Sequence, residues 1–279
     1  MANPEAIVYR REFVENFNVG VTMLADRFTE ESMTMGRSAV FDVATLGGRM
    51  SVRSIDGRIP RRNRSDSQVT CTIDERVAKE EVTDFEAFTS QADERAKINK
   101  SIMISVNEEI DYHVLTELAN ASTSYSASAA PITLDTATKV IATLAQNKVP
   151  TGAQDLTWII SPMMEAKLQN IQGYTSSDYC NTRPLEAGGN QYDGGRKYRQ
   201  WLGASWIVHP NLPDTGSASC TTYLVHRRAF GLAVPSKKIQ YEFGRIPGEL
   251  ADCAVAGLMM GAKILQNAGI LKFLHNDAA

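Results

Sequence analysis

Six arginines that fall within sixteen residues are the side chains whose spacing could do chemistry, and they are Arg49, Arg53, Arg58, Arg61, Arg62 and Arg64. A planar guanidinium binds carboxylates and phosphates through paired hydrogen bonds. An acidic stretch follows, because residues 74–94 hold eight acidic residues and only two basic ones. The cluster therefore predicts contact with carboxylates of a protein surface or with phosphates of a nucleic acid.

The composition favours a protein partner for the arginines. Net charge is −3, and residues 47–84 contain no aromatic side chain on which bases could stack. A solvated loop and a nucleic-acid-binding protein that uses the Arg49–Arg64 cluster remain alternatives. Self-association is preferred, because the chain supplies its own candidate acceptors, which are Asp74, Glu75, Glu80, Glu81, Asp84, Glu86, Glu108, Glu109 and Asp111.

Motifs for catalysis, cofactors and metals are missing from the sequence. The cysteines, Cys71, Cys180, Cys220 and Cys253, form no Cys-x-x-Cys pair, and His113 has no histidine four residues away. Ser161 follows an apolar segment but lacks the flanking glycines of a nucleophile elbow. We therefore expect no enzyme, no catalytic residue, no cofactor and no metal site.

Two elements must position the charged residues. Residues 50–55 and 68–73 alternate apolar and polar side chains, which predicts a long hairpin with the cationic segment at its tip. Two strands alone are barely stable in water, so the hairpin needs another surface to lie on. A helix is predicted from about Ser90 to Asn120, with Ser90 and Asp93 as a capping box, because apolar residues recur every four positions from Ile98 to Leu118.

A second unit is expected to begin near Thr133. It comprises a helix that stops before Pro150, a strand over 156–160, a helix capped by Ser161, a loop over 172–200, and strands over 205–209, 222–232, 237–243 and 253–273, the last broken by glycines. This irregular mixture predicts an α+β fold. The N-terminus lacks a secretory signal and no apolar run approaches ~20 residues, so the protein is expected in the cytosol when made.

The order of these motifs resembles the major capsid proteins of tailed bacteriophages. The matching segments are 54–61 (SIDGRIPR), 69–75, 82–87 (VTDFEA), the long helix, 144–150 (LAQNKVP), 156–162 (LTWIISP), 198–213 and 226–231. The resemblance covers nearly the whole chain. It implies a Hong Kong 97-type capsid fold with an N-terminal arm, an extended β-hairpin loop, a peripheral domain with a long spine helix and an apical α/β domain.

The resemblance also assigns domains and partners. It implies an arm at 1–46, an extended loop at 47–82, a peripheral domain at 83–132 and 235–256, and an apical domain at 133–234 and 257–279. The protein would self-assemble into hexamers and pentamers of an icosahedral head around double-stranded DNA, assembled in the bacterial cytoplasm. A separate scaffolding protein and a portal are expected, a decoration or cement protein is possible, DNA contact would be non-specific, and no membrane or covalent crosslink is expected.

Overall fold

Two sheets and a separate hairpin organise the chain. The computed structural model describes residues 22–33, 36–44, 50, 52–53, 55–57, 59, 66–89, 93–126, 130–151, 155–171, 190–193, 196–235, 239–246 and 248–278. The strands are β1 (Thr29–Met33), β2 (Ser38–Ala44), β3 (Asp66–Thr72), β4 (Asp74–Thr83), β5 (Ser124–Ser126), β6 (Leu156–Ile160), β7 (Asn190–Asp193), β8 (Arg196–Trp201), β9 (Ala204–Val208), β10 (Cys220–His226), β11 (Phe230–Pro235), β12 (Ile239–Ile246), β13 (Ala251–Ile264) and β14 (Ile270–His275). The helices are α1 (Asp84–Thr89), α2 (Glu94–Leu118), α3 (Leu134–Gln146) and α4 (Pro162–Gln169).

The long helix α2 confirms the four-residue apolar repeat of the sequence. Its 25 residues span roughly 38 Å at ~1.5 Å per residue. Ile98, Ile102, Val106, Ile110, Val114 and Leu118 are all buried. The predicted start is wrong, because the Asp93 carboxylate caps the helix by accepting from the Ala96 N–H at 3.2 Å. Ser90 lies outside the described residues.

Strand β13 is the central strand of the five-stranded sheet and pairs with three other strands. Its first ten residues pair with β4 on one side, and most of them also pair with β12 on the other. Its last four residues pair with β11, which in turn pairs in parallel with β1. Gly257 and Gly261 were expected to break this strand, but both lie inside it, and the break comes at residues 265–269. A glycine in a strand has no side chain to pack, but its backbone can still form the hydrogen bonds that pair the strands.

The two-stranded hairpin uses a different first strand from the predicted one. Strand β3 pairs with β2 in antiparallel register, from Ser38↔Thr72 to Ala44↔Asp66. The described residues of 50–55 form no strand, so the expected pairing of 50–55 with 68–73 is wrong. The hairpin therefore begins inside the segment expected to be an arm, and Phe41 and Cys71 pack at its base against Ala233 of β11.

The seven-stranded sheet carries helices α3 and α4 on one face. Its strand order is β5-β14-β10-β6-β9-β8-β7. Trp158 and Trp206 stack with ring centroids 4.2 Å apart in the core under these helices. The Ser161 hydroxyl accepts from the Met164 N–H at 3.0 Å, which confirms the predicted cap of α4. Thr133 caps α3 through a capping box with Thr136.

Helix α2 joins the two sheets in one core. Its apolar stripe packs with inner-face residues of the five-stranded sheet, such as Ala254 and Leu258, and with Ile159 and Val225 of the seven-stranded sheet. Sheet membership changes along the chain at places other than the expected domain boundaries. Strand β5 already belongs to the seven-stranded sheet, whereas β11 and all of β13 belong to the five-stranded one.

Candidate assembly interface

Strand β4 presents alternate side chains to two different environments. Arg76, Ala78, Glu80 and Val82 are partly buried on the side of helix α2, where the Ser101 hydroxyl donates to the Glu80 carboxylate at 2.7 Å. Glu75, Val77, Lys79 and Glu81 are exposed on the opposite side. Since side chains alternate across a strand, β4 gives the sheet an outer face with two carboxylates and one ammonium.

A shallow depression of ≈ 300 Å³ lies on this outer face. Its lining includes Glu75 and Val77 of β4, Glu242 of β12, and Gly257 of β13. A Cβ on Gly257 would come within 4.0 Å of the Glu75 carboxylate, so the glycine keeps the floor open. We call the outer face of β4, β13 and β12 the acidic face.

Glu242 is an acidic-face residue that the sequence analysis missed. The pattern of Ile239, Tyr241 and Phe243 contained the necessary signal, because alternation places Glu242 on the other side of the strand. Tyr241 is on the helix side, where its hydroxyl bonds Asn99 of α2. Glu242 of β12 and Glu75 of β4 therefore line the same depression from opposite sides of β13.

Five of the expected acceptors on β4, α1 and α2 already have partners in their own chain. Glu109 pairs with Arg76, Asp84 pairs with Arg245, and Glu80 accepts from Ser101. The Glu86 carboxylate accepts from the Thr83 N–H at 3.0 Å. Glu81 pairs with Lys79 on the exposed side of the strand. These contacts leave Glu75 as the exposed carboxylate of β4 that lines the depression.

Asp111 is not an acceptor for an arginine from outside, which corrects its place among the candidates. The residue is only 3 % exposed. It accepts from the N–H of Met23 at 2.9 Å and of Leu24 at 3.2 Å, and the Nε2 atom of His209 lies 3.2 Å away. Because the Nδ1 atom of His209 accepts from the Asn211 N–H, Nε2 carries the proton and donates to Asp111. The carboxylate fastens three segments of the core together.

The structure describes one arginine of the predicted cluster. Arg53 is exposed, and its Nε donates to the Gly57 carbonyl at 2.9 Å, within the turn at residues 55–57. Arg49, Arg58, Arg61, Arg62 and Arg64 lie outside the described residues. The hairpin strands β2 and β3 that flank the cluster are described: their pairing ends at Ala44↔Asp66, and Phe41 and Cys71 pack against Ala233 of β11.

Large apolar side chains are also exposed near the acidic face. Phe85 and Phe88 of α1 are 75 % and 86 % exposed, and Leu250 is 66 % exposed. Val77 is exposed on the acidic face itself. Apolar groups clustered on a surface commonly mark a protein contact.

Titratable groups that are buried or half-buried lie elsewhere in the fold. Burial lowers the pKa of His113, which is also beside Arg76, and burial likewise lowers the pKa of His226. Burial raises the pKa of Cys71 to about 11. Within the described part of the chain, one group could hold a metal ion, formed by Cys220, His275 and Asp277. No helix among the described residues is long and apolar enough to cross a membrane.

Comparison with known proteins identifies similar chains. A family model described as phage capsid protein matches residues 22–277. A structure from Mycobacterium phage Che8 is similar with a TM-score of 0.75 and 16 % sequence identity over 97 % of each chain. The capsid structure of cyanophage P-SCSP1u gives a TM-score of 0.73 at 15 % identity, over 97 % of this chain and 93 % of that one. The capsid of a native GTA particle gives 0.70 at 11 % identity, over 98 % and 96 %. No curated protein sequence matches the chain.

Proposed function

The chain belongs to the phage capsid protein family, and we propose that its subunits join as hexamers and pentamers that close a tailed-phage head around double-stranded DNA. It is a structural protein of the virion shell, with the Hong Kong 97-type α+β fold expected from the sequence. Family membership supports self-association over nucleic-acid recognition as the proposed role of its charged surfaces.

The sheets support a proposed domain division. The hairpin of β2 and β3 with the segment between them would be the extended loop. The peripheral domain would consist of β1, β4, α1, α2 and β11 to β13, and the apical domain of β5 to β10, α3, α4 and β14. This division keeps the loop, peripheral and apical units of the expected one, and moves their boundaries to where the chain changes sheet.

The proposed contact places the arginine segment of one subunit on the acidic face of the next. The observation that carries it is the outward row of β4, where the exposed Glu75 lines the depression together with Glu242 and the apolar Val77. Arginine forks suit such carboxylates. The uncharged Val77 and the depression would receive the apolar residues between the arginines, such as Ile59.

Weak single contacts are sufficient for this assembly. An exposed ion pair contributes only ~0 to 1 kcal/mol. A closed shell repeats the same contact in every subunit, so the sum is large while each contact stays reversible. Reversible contacts allow a misplaced subunit to leave before the shell closes.

Charge reversal in the loop tests the proposal. The double variant Arg61→Glu with Arg62→Glu is expected to give a folded, soluble subunit that forms no closed shells, because it would place like charges against Glu75 and Glu242. Electron microscopy of the expressed protein scores shells, and circular dichroism scores folding. The matched control is Lys139→Glu with Lys148→Glu, which reverses two exposed lysines at helix α3. Normal particles from the arginine variant would refute the role of the loop.

The other partners are proposed from family membership alone. They are a separate scaffolding protein, a portal, a decoration or cement protein, and packaged DNA held without sequence specificity, with assembly in the bacterial cytoplasm and no catalytic step. Expression with and without the phage's scaffolding protein tests the first of these. Closed shells of uniform size only in its presence would support it, and uniform shells without it would contradict it.

A further inference from the structure

Three chemistry-bearing side chains meet at one corner of the seven-stranded sheet. Cys220 begins β10 and His275 ends β14, and the two residues stand directly opposite each other in antiparallel register. Asp277 follows two residues after His275. One donor atom from each side chain lies within 4.8 Å of the other two. The cluster belongs to neither the hairpin nor the acidic face.

The cluster is buried, and three of its polar atoms lack a partner of good hydrogen-bond geometry. Cys220, His275 and Asp277 are 0 %, 1 % and 0 % exposed. Neither ring nitrogen of His275 nor the Oδ1 atom of Asp277 has a hydrogen-bond partner among the described residues. The His275 Nε2 and Asp277 Oδ1 atoms are 3.4 Å apart, which is longer than a usual hydrogen bond. Buried polar groups in native proteins are nearly always satisfied, so this arrangement indicates a missing partner.

We propose that Cys220, His275 and Asp277 bind a zinc ion. Thiolate sulfur, imidazole nitrogen and carboxylate oxygen are the ligands that zinc takes in proteins. Tetrahedral zinc with Zn–N and Zn–O distances near 2.0–2.1 Å requires these two ligand atoms to be about 3.3 Å apart. The observed 3.4 Å between His275 Nε2 and Asp277 Oδ1 fits that requirement.

The charges of the three ligands also suit a dication. On binding, the Cys220 thiol forms the sulfur–zinc bond and releases its proton to solvent. The thiolate and the Asp277 carboxylate then neutralise the two positive charges of zinc, which makes burial of all three tolerable. A water molecule or another small ligand completes the fourth position.

The surroundings hold the ligands in place. The Oδ2 atom of Asp277 accepts from the Gly216 N–H at 3.0 Å, and the Asp277 N–H donates to the Ser217 carbonyl at 2.9 Å. The Lys167 ammonium donates to the Asn276 carbonyl at 2.8 Å, between the two ligands on this segment. A zinc ion here fastens residues 275–277 and the turn around Gly216 to the start of β10, so its role is to stabilise the subunit.

Metal content and a cobalt spectrum test the site on the full-length chain. The protein is stripped with a chelator, reloaded with zinc or with cobalt, dialysed and measured. Wild-type protein is expected to hold stoichiometric zinc, and its cobalt form to show a thiolate-to-metal charge-transfer band. Cys220→Ser should abolish the band and weaken zinc binding at least tenfold. Cys71→Ser and Cys253→Ser, which remove thiols outside the cluster, should retain both properties.

A second measurement, on wild-type protein alone, keeps the test decisive if Cys220→Ser fails to fold. Zinc added to stripped wild-type protein should raise its melting temperature, because a ligand that binds only the folded state stabilises it. Stripped wild-type protein that regains no stoichiometric zinc would overturn the proposal, and so would Cys220→Ser protein with unchanged zinc affinity. Shell formation is scored separately by microscopy, so a failure here leaves the assembly proposal untouched.

Discussion

At the scale of single residues, a buried carboxylate connects parts of the chain that are distant in sequence. Asp111 joins the segment at residues 23–24 and His209 to helix α2 through three close contacts. Buried charge is tolerated when it is fully hydrogen-bonded and paired. The sequence offered Asp111 only as one more acid on a helix, since its burial depends on which segments arrive from elsewhere.

Removing this carboxylate should be costly. Asp111→Ala leaves the N–H groups of Met23 and Leu24 and the ring of His209 without their buried acceptor, so we expect the free energy of unfolding to fall by about 3 kcal/mol. Urea unfolding of the unassembled subunit measures it. The control is Glu108→Ala, a half-buried acid on the same helix, which should change stability by less than about 0.5 kcal/mol. Equal losses from the two variants would contradict the role of Asp111.

Two histidines, the half-buried His113 and the buried His226, predict a loss of stability in acid. Burial lowers the pKa of His113 and His226 from 6.5 in the folded protein. The unfolded chain therefore takes up protons below pH 6.5 that the folded chain does not, so stability is complete above that pH and falls as the pH drops below it. The free energy of unfolding then falls by at most about 1.4 kcal/mol per pH unit for each histidine.

Urea unfolding between about pH 7.5 and about pH 5.5 tests this window. His113→Gln with His226→Asn should lose less stability than wild type over the same range. Asn retains an acceptor that can replace the His226 Nδ1 atom, which now accepts from the Arg228 N–H at 3.2 Å. An unchanged pH slope in the double variant would exclude these two histidines as its source.

At the scale of elements, the hairpin of β2 and β3 contacts the five-stranded sheet at a glycine, Gly261 of β13. A Cβ on Gly261 of β13 would lie 2.4 Å from the Thr72 carbonyl and 2.8 Å from the Cys71 sulfur. A Cβ on Gly257, in the same strand, would meet only ordinary contacts at 3.9 and 4.0 Å. The end of β3 therefore packs directly against the backbone of Gly261, where a side chain would not fit.

We expect Gly261→Ala to displace the hairpin base and to cost about 2 kcal/mol. Gly257→Ala is the matched control and should remain within about 0.5 kcal/mol of wild type. Urea unfolding gives the stabilities, and amide hydrogen exchange of β2 and β3 reports whether the hairpin itself is loosened. The same protection in both variants would mean that the close approach at Gly261 does not hold the hairpin.

The elements also show which structures could be predicted from the sequence. Helix α2 was found because its apolar period is a local signal that its own packing face preserves. The partner of β3 was misplaced because residues 50–55 alternate as strands do, while the true partner at 38–44 is fixed by packing on β11. Cys220 and His275 are 55 residues apart in sequence, so only the β10–β14 register could bring them together.

At the scale of the whole molecule, helix α2 covers one face of the five-stranded sheet and leaves the acidic face exposed, where we propose that another subunit binds. The inner side chains of β13 are buried against α2, whereas Glu75, Val77 and Glu81 of β4 are exposed. An assembling subunit needs such a surface, folded and stable before its partner arrives. The arginine segment has complementary charge, which makes the two surfaces testable as a pair.

A charge swap tests the pair directly. Glu75→Arg with Glu242→Arg should abolish closed shells, since it replaces the carboxylates at the depression that would bind Arg61 and Arg62. Combining these changes with Arg61→Glu and Arg62→Glu restores opposite charges across the contact and should restore shells in electron micrographs. Because exposed ion pairs are screened by salt, the rescue should weaken as ionic strength rises. Shells from the Glu75 and Glu242 variant alone would place the arginine contact on a different surface, and a fourfold variant that stays unassembled while folded would show that charge complementarity alone does not define it.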